Sequence, residues 1–107
     1  MKKIFVSMPM RDLFEDEIAR KQGKLLELAG EHLHDAVELI DSYFPDEHFR
    51  KPLACLGEAI KRMAEADYVV FCEGWREARG CKIEMACAAN YGKKILLEDN
   101  GNLEEVG

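Results

Sequence analysis

The chain has 107 residues, 48% apolar and 34% charged, with 15 Lys and Arg against 21 Asp and Glu for a formal charge of −6. That length carries one core, and the balance is too apolar for a disordered chain. No apolar run approaches the ~20 residues of a membrane-spanning helix, and Ile4-Phe5-Val6 is too short for the apolar region of a signal peptide.

In chain order, Lys3 to Ser7 is β-branched and aromatic and reads as a strand that ends at Met8-Pro9. From Phe14 to Leu33, the positions Ile18, Gln22, Leu25, Leu26, Ala29 and Leu33 recur at helical spacing. Asp12 stands where it would cap that helix, and Gly23 weakens it slightly. Val37 to Asp41 reads as a second strand, closed by Ser42-Tyr43-Phe44-Pro45. Asp46 to Lys51 is polar and reads as loop. Pro52 suits the first turn of a second helix, followed by Leu53, Leu56, Ile60, Met63 and Ala64. Asp67 to Glu73 is a third strand whose continuous apolar centre fits burial on both faces. Gly74 to Gly80 reads as loop. Cys81 to Tyr91 is a third helix, expected to turn Ile83, Ala86 and Cys87 inward and to end at Gly92 as a C-terminal cap. Lys94 to Glu98 is a fourth strand. Asp99 to Gly107 is expected to be a polar tail outside a domain of residues 1–98.

Alternation of strands with helices predicts an α/β fold, because parallel neighbours require a crossover. The expectation is a small three-layer flavodoxin-like or Rossmann-like domain with a four-stranded parallel sheet in the order 2-1-3-4. Ligands of such sheets bind beyond the carboxyl ends of the strands, near the point where the order reverses. That rule selects Ser7, Met8, Pro9, Met10 and Arg11 after the first strand. It selects Asp41 to Tyr43 after the second, Glu73, Gly74 and Trp75 after the third, and Arg79, Gly80 and Cys81 at the third helix. Asp67 lies at the opposite end of its strand and reads as structural.

The acidic balance argues against a nucleic-acid polymer as partner, although one local positive site suffices for a single nucleotide. Cys55, Cys72, Cys81 and Cys87 form no C-x-x-C pair and sit within apolar or helical patterns. This points to buried thiols in a reducing, cytoplasmic setting rather than to a disulfide framework. His32, His34 and His48 complete no structural metal spacing with them, so no metal is expected. No Walker motif is present, and no G-x-G-x-x-G follows a strand. An Arg six positions after Cys81 would suit a phosphatase, but Cys87 stands there. No cofactor is implied.

Gly80 allows close approach of backbone to a ligand where the third helix begins, and a helix start favours an anion. Glu84 follows four residues later, on the face shared by residues 80 and 81. A carboxylate so placed can attack the anomeric carbon of a sugar, release a base and form a covalent sugar ester. The competing reading is an exposed Glu favoured by the helix dipole. Trp75 either stacks on a base or ribose or covers the core. Asp41 either binds ribose hydroxyls or caps a turn beside Ser42. An exposed Tyr43, Phe44 and Trp75 would be costly in a monomer, which predicts a homo-oligomer that completes the site.

The order strand–S-M-P-M-R–helix, then AEADYVVFCEGW, then ARGCKIEMACAANYGKKILL, resembles the nucleoside 2-deoxyribosyltransferase superfamily over roughly Lys3 to Leu97. It looks closest to a small, mostly phage and bacterial branch of it, the DUF4406 type. The most specific part is the Gly-x-x-x-Glu-x-x-x-Ala element, here Gly80, Glu84 and Ala88. The resemblance implies that Glu84 is the nucleophile and that Ser7 to Met10 contact the nucleoside. It also implies that Arg11, with Arg79 and the Gly80 and Cys81 amides, holds a 5′-phosphate. The substrate implied is a nucleoside or nucleoside 5′-monophosphate. The chain departs from the transferases at four places. Phe5 replaces a Tyr whose hydroxyl orients the nucleophile, Ala78 and Ala59 replace acids, and Met8 replaces a Gly. Glu73, Asp41 or water are the groups left to protonate a leaving base.

Overall fold

The structure is a computed structural model that describes residues 1–10, 12–43 and 51–106. The elements run β1 (Lys2–Ser7), α1 (Glu15–Leu33), β2 (Val37–Ile40), α2 (Pro52–Met63), β3 (Tyr68–Phe71), α3 (Arg79–Asn90), β4 (Lys94–Asp99) and β5 (Asn102–Val106). A short 3-10 helix, Trp75–Glu77, lies between β3 and α3. The α/β class is as the sequence predicts.

The sheet order is β2-β1-β3-β4-β5. The first four strands pair in parallel, in the order expected. The fifth is a correction. Residues 99–107 were expected to form a polar tail, yet β5 pairs antiparallel with β4 from Asp99↔Asn102 to Ile95↔Val106. The sheet is therefore five-stranded and mixed. The physical reason is the Asn100-Gly101 dipeptide, with φ of 51° and 79°. Two positive φ values in a two-residue loop match the right-handed twist of a hairpin. Leu103 then turns toward the core while Glu104 and Glu105 stay exposed.

Strand parity divides the core. Ile4, Val6, Val70, Cys72 and Leu96 pack with Leu25 and Ala29 of α1 on one face. Phe5, Val69, Phe71 and Ile95 pack with Ala59 and Met63 of α2 and Ala88 of α3 on the other. Successive side chains of a strand alternate between faces, so Ser7 falls on the side of Phe5, toward α2 and α3.

The helix ends refine the sequence reading. Phe14, not Asp12, is the N-cap of α1, and no side chain caps it. Asp12 instead takes a left-handed turn at φ 65° ahead of the helix. Glu15, Asp16 and Glu17 in the first turn complement the helix dipole. Helix α3 begins at Arg79, two residues before the expected start, because Gly74 at φ 91° and the 3-10 turn shorten the loop. Its inward face also differs. Cys81, Glu84 and Ala88 are buried, whereas Ile83 and Ala86, expected inside, are exposed. The small Cys81 and Ala88 let the helix lie against the sheet, which the larger Ile83 would hold away. Gly92, at φ 72°, ends α3 as expected, with the Lys93 N–H bonded to the Ala88 carbonyl at 2.9 Å.

Candidate functional site at the carboxyl edge

The reversal of strand order falls between β1 and β3, where chains leave in opposite directions along the sheet. A cavity of about 210 Å³ opens there. Its floor is Val6 and Ser7 at the end of β1, and its walls are Met8 to Met10, Ser42, Cys55 and Ala59 of α2, and Ala78, Gly80, Cys81 and Glu84 at the start of α3. A second hollow adjoins it through Pro9, Met10, Ala78 and Gly80, and Arg79 lies on that one.

Glu84 is 8% exposed, and the Ser7 hydroxyl donates to its Oε1 at 2.5 Å. Among the described residues no other hydrogen bond reaches this carboxyl, and no buried side-chain oxygen is without a partner. Oε2 is therefore the oxygen that meets the accessible surface of the cavity. Burial pushes the Glu84 carboxyl above the ordinary Glu value, and the Ser7 bond acts in the opposite direction. The competing reading of Glu84, a dipole-favoured side chain in solvent, does not describe this geometry.

Cys81 lies beside the pair and is 4% exposed. Burial raises its pKa, the Ser7 hydroxyl lowers it, and the Glu84 charge raises it again. The net direction is upward, so the thiol stays protonated and is a poor nucleophile despite its place at a helix start. Ser7 is 1% exposed, so it lines the cavity floor with very little surface of its own.

Ala78 is the N-cap of α3, without a side-chain cap, and the first bond of the helix runs from the Lys82 N–H to the Ala78 carbonyl. The amides at Arg79, Gly80 and Cys81 precede that first bond at the positive end of the helix dipole, and Gly80 and Cys81 line the cavity. The Arg79 side chain is exposed beside them.

The other expected residues are not brought to this cavity. Trp75 packs on the α2 and α3 side of the core, its ring 5.5 Å from that of Phe71. The Asp41 carboxylate accepts the Tyr43 N–H at 2.9 Å, the turn-capping geometry, while its neighbour Ser42 lines the cavity. Glu73 is exposed in a separate hollow with Lys21, Lys24 and Glu98 on the α1 side. Gly74 lies outside the cavity lining and shapes the 3-10 turn. Arg11 and Phe44 lie outside the described residues. The strand-end rule selects Ser42 from the sequence but neither Cys55 nor Ala59, which lie within α2. The signal for Ser42 was its position one residue past the second strand.

Asp67 is at the far end of β3, where its carboxylate accepts the Lys3 N–H at 2.7 Å and ties β3 to β1. Among the described residues no group of three or more His, Cys, Asp or Glu side chains is arranged to hold a metal ion, and no helix is long and apolar enough to cross a membrane.

Fold and site together define an α/β domain with a buried carboxylate, Glu84, facing a small cavity at the sheet's switch point. Comparison with models of known protein families, with curated proteins and with solved structures gives no match.

Proposed function

We propose that the chain acts on the N-glycosidic bond of a nucleoside or nucleoside 5′-monophosphate, with Glu84 as nucleophile. The observation that supports this is the Glu84 carboxyl itself, enclosed by the fold with Oε2 left open to a cavity one turn below the start of α3. In this reading Oε2 attacks the anomeric carbon. The C–N bond breaks and its electron pair leaves with the base, which takes a proton from water or another acid. A water then attacks the sugar ester, the C–O bond to Glu84 breaks, and the carboxylate returns with release of a proton. Negative charge beside the anomeric carbon also stabilises the oxocarbenium-like transition state.

The α3 amides and Arg79 suit a 5′-phosphate, since both present donors and positive charge at one rim of the cavity. The cavity's size fits a sugar ring rather than a whole nucleotide, so the base would extend into the adjoining hollows. Arg11 belongs to the same proposal through the resemblance alone.

The test is incubation with a panel of nucleosides and monophosphates, followed by detection of free base. Base release by the native chain that Glu84→Gln abolishes, while ligand-induced stabilisation persists, is the expected result. Release that survives Glu84→Gln would overturn the nucleophile assignment.

The second reading is a nucleotide-binding module without turnover. Ala59 and Ala78 favour it, because both line the cavity where the transferases that the sequence resembles carry acids. Stabilisation by monophosphates with no base released would select this reading. We further propose a cytoplasmic homo-oligomer. The support for association is Leu53, Ile83 and Tyr91, exposed at 81%, 39% and 85% on α2 and around α3. It does not come from Tyr43 and Trp75, which are half-buried. A sedimentation mass of one chain at micromolar concentration would remove that proposal.

A further inference from the structure

We infer that Ser7 is a positioning residue: its hydroxyl holds Oε1 of Glu84 and so presents Oε2 to the cavity. The inference rests on the glycosidic reading only for its catalytic consequence, and the hold itself is testable without turnover.

The sequence gives Ser7 the look of a substrate ligand, because it ends the first strand at the carboxyl edge. The structure spends its hydroxyl elsewhere. A serine has one proton to donate, and here it goes to Oε1 at 2.5 Å. At 1% exposure, Ser7 offers very little surface to a substrate. Its backbone is fixed from the neighbouring strand: Ser7 is in register with Phe71, and its carbonyl accepts the Cys72 N–H at 2.9 Å. Glu84 is fixed from the other side, one turn before the fully buried Ala88 in a 12-residue helix. The bond therefore joins two rigid elements, the arrangement that holds a reacting group to one geometry.

Without the hydroxyl, both carboxyl oxygens would be equivalent in an apolar setting, and nothing would select which one faces the cavity. The charged form would also lose its donor. A buried carboxylate without a partner takes up a proton instead. The other titratable groups lining the cavity are the Cys55 and Cys81 thiols, and no described basic side chain lines it. Among the described side chains lining the cavity, the hydroxyl is thus the one hydrogen-bonded to the ionised form. Ser7 lies on the same face of β1 as Phe5, the face that α2 and α3 cover.

The experiment is a carboxyl-carbon NMR titration of the full chain labelled at Glu. The Glu84 resonance is assigned by its loss in Glu84→Gln. Ser7→Ala should raise the Glu84 midpoint by about one unit or more, since a donor to a charged group is lost. Ser7→Cys keeps a weaker donor in a similar volume and should raise it by less. If both variants titrate Glu84 at the native midpoint, the hydroxyl has no hold on the carboxyl and the inference is overturned. If the panel has identified a substrate, Ser7→Ala should also lower kcat, leave KM nearly unchanged, and move the acid limb of the pH profile upward by the same shift. If the native chain releases no base, the glycosidic reading fails while the titration still decides the role of Ser7.

Discussion

The Trp75 ring meets the Phe71 ring at 5.5 Å and 57°, a tilted aromatic pair that closes the α2 and α3 side of the core. The Arg76 guanidinium lies over the same indole, 4.8 Å from its centroid. Of the two roles open to this tryptophan in the sequence, the packing one matches these contacts. Trp75→Ala should therefore lower stability by about 1–3 kcal/mol, less than a fully buried aromatic would cost, through lost packing and the lost ring pair. Denaturant unfolding measures it. An unchanged midpoint, with loss of ligand affinity instead, would restore the base-stacking role.

The buried Glu84 carboxyl carries a pH signature of its own. Its folded value lies above the ordinary one because burial disfavours the charge. The folded chain therefore binds this proton more tightly than the unfolded chain does. The resulting stability is fully present below the ordinary Glu value, about 4.3, and is lost as pH rises through the folded value. Glu84→Gln has no charge to bury and keeps an oxygen to accept the Ser7 bond. Its stability relative to the native chain should rise from acid toward neutral pH. Parallel stability curves for the two proteins across that range would contradict the burial seen here.

The thiols should differ in reactivity. Burial pushes Cys72 up to about 11, and the Glu98 carboxylate, which accepts its S–H at 3.4 Å, adds to the shift. Cys81 is also raised and enclosed. Burial raises Cys55 as well, but Cys55 and Cys87 are only half-buried and so remain within reach of a reagent. Alkylation of the folded chain near pH 8 should reach Cys55 and Cys87 well before Cys72 and Cys81, since the thiolate is the reactive form. Peptide mass mapping over time reads the order, and rapid labelling of Cys72 would refute it.

Ser42 links three elements. It donates to the Val6 carbonyl at 2.7 Å and accepts from the Gln22 side chain at 3.1 Å. Gln22 is 5% exposed, so it depends on that acceptor. Ser42→Ala should destabilise by about 1–2 kcal/mol, and replacing Gln22 by Leu in the same background should recover much of the loss. A calorimetric cycle of the single and double variants measures the coupling. Strict additivity would show that the two side chains do not depend on each other.

The elements that could be read from the chain are those whose signal is local. The α1 stripe of Ile18, Gln22, Leu25 and Ala29 is buried as its spacing predicts, and Pro52 and Gly92 mark helix ends where expected. Glu84 was legible because a glycine and a helix start stand one turn before it. The inward face of α3 was not, because Ile83 is more apolar than Cys81, and small residues win where helix and sheet lie close. The destination of Trp75 depends on a turn set by Gly74, which periodicity does not register. The pairing of Ser7 with Glu84 joins positions 77 residues apart and needs the strand's face to be known. β5 was hidden by its composition, since a strand bearing Glu104 and Glu105 reads as polar chain, although Asn100-Gly101 carries the hairpin signal.

The same acidic composition has a consequence at the border of the sheet. β5 is the outermost strand beside β4, with Glu104 and Glu105 exposed along it. A second copy of the chain that added its own β5 there in register would set glutamates directly opposite glutamates. Cross-strand repulsion of that kind opposes ribbon growth at neutral pH. The strand that completes the fold thus also opposes extension of the sheet at its own edge.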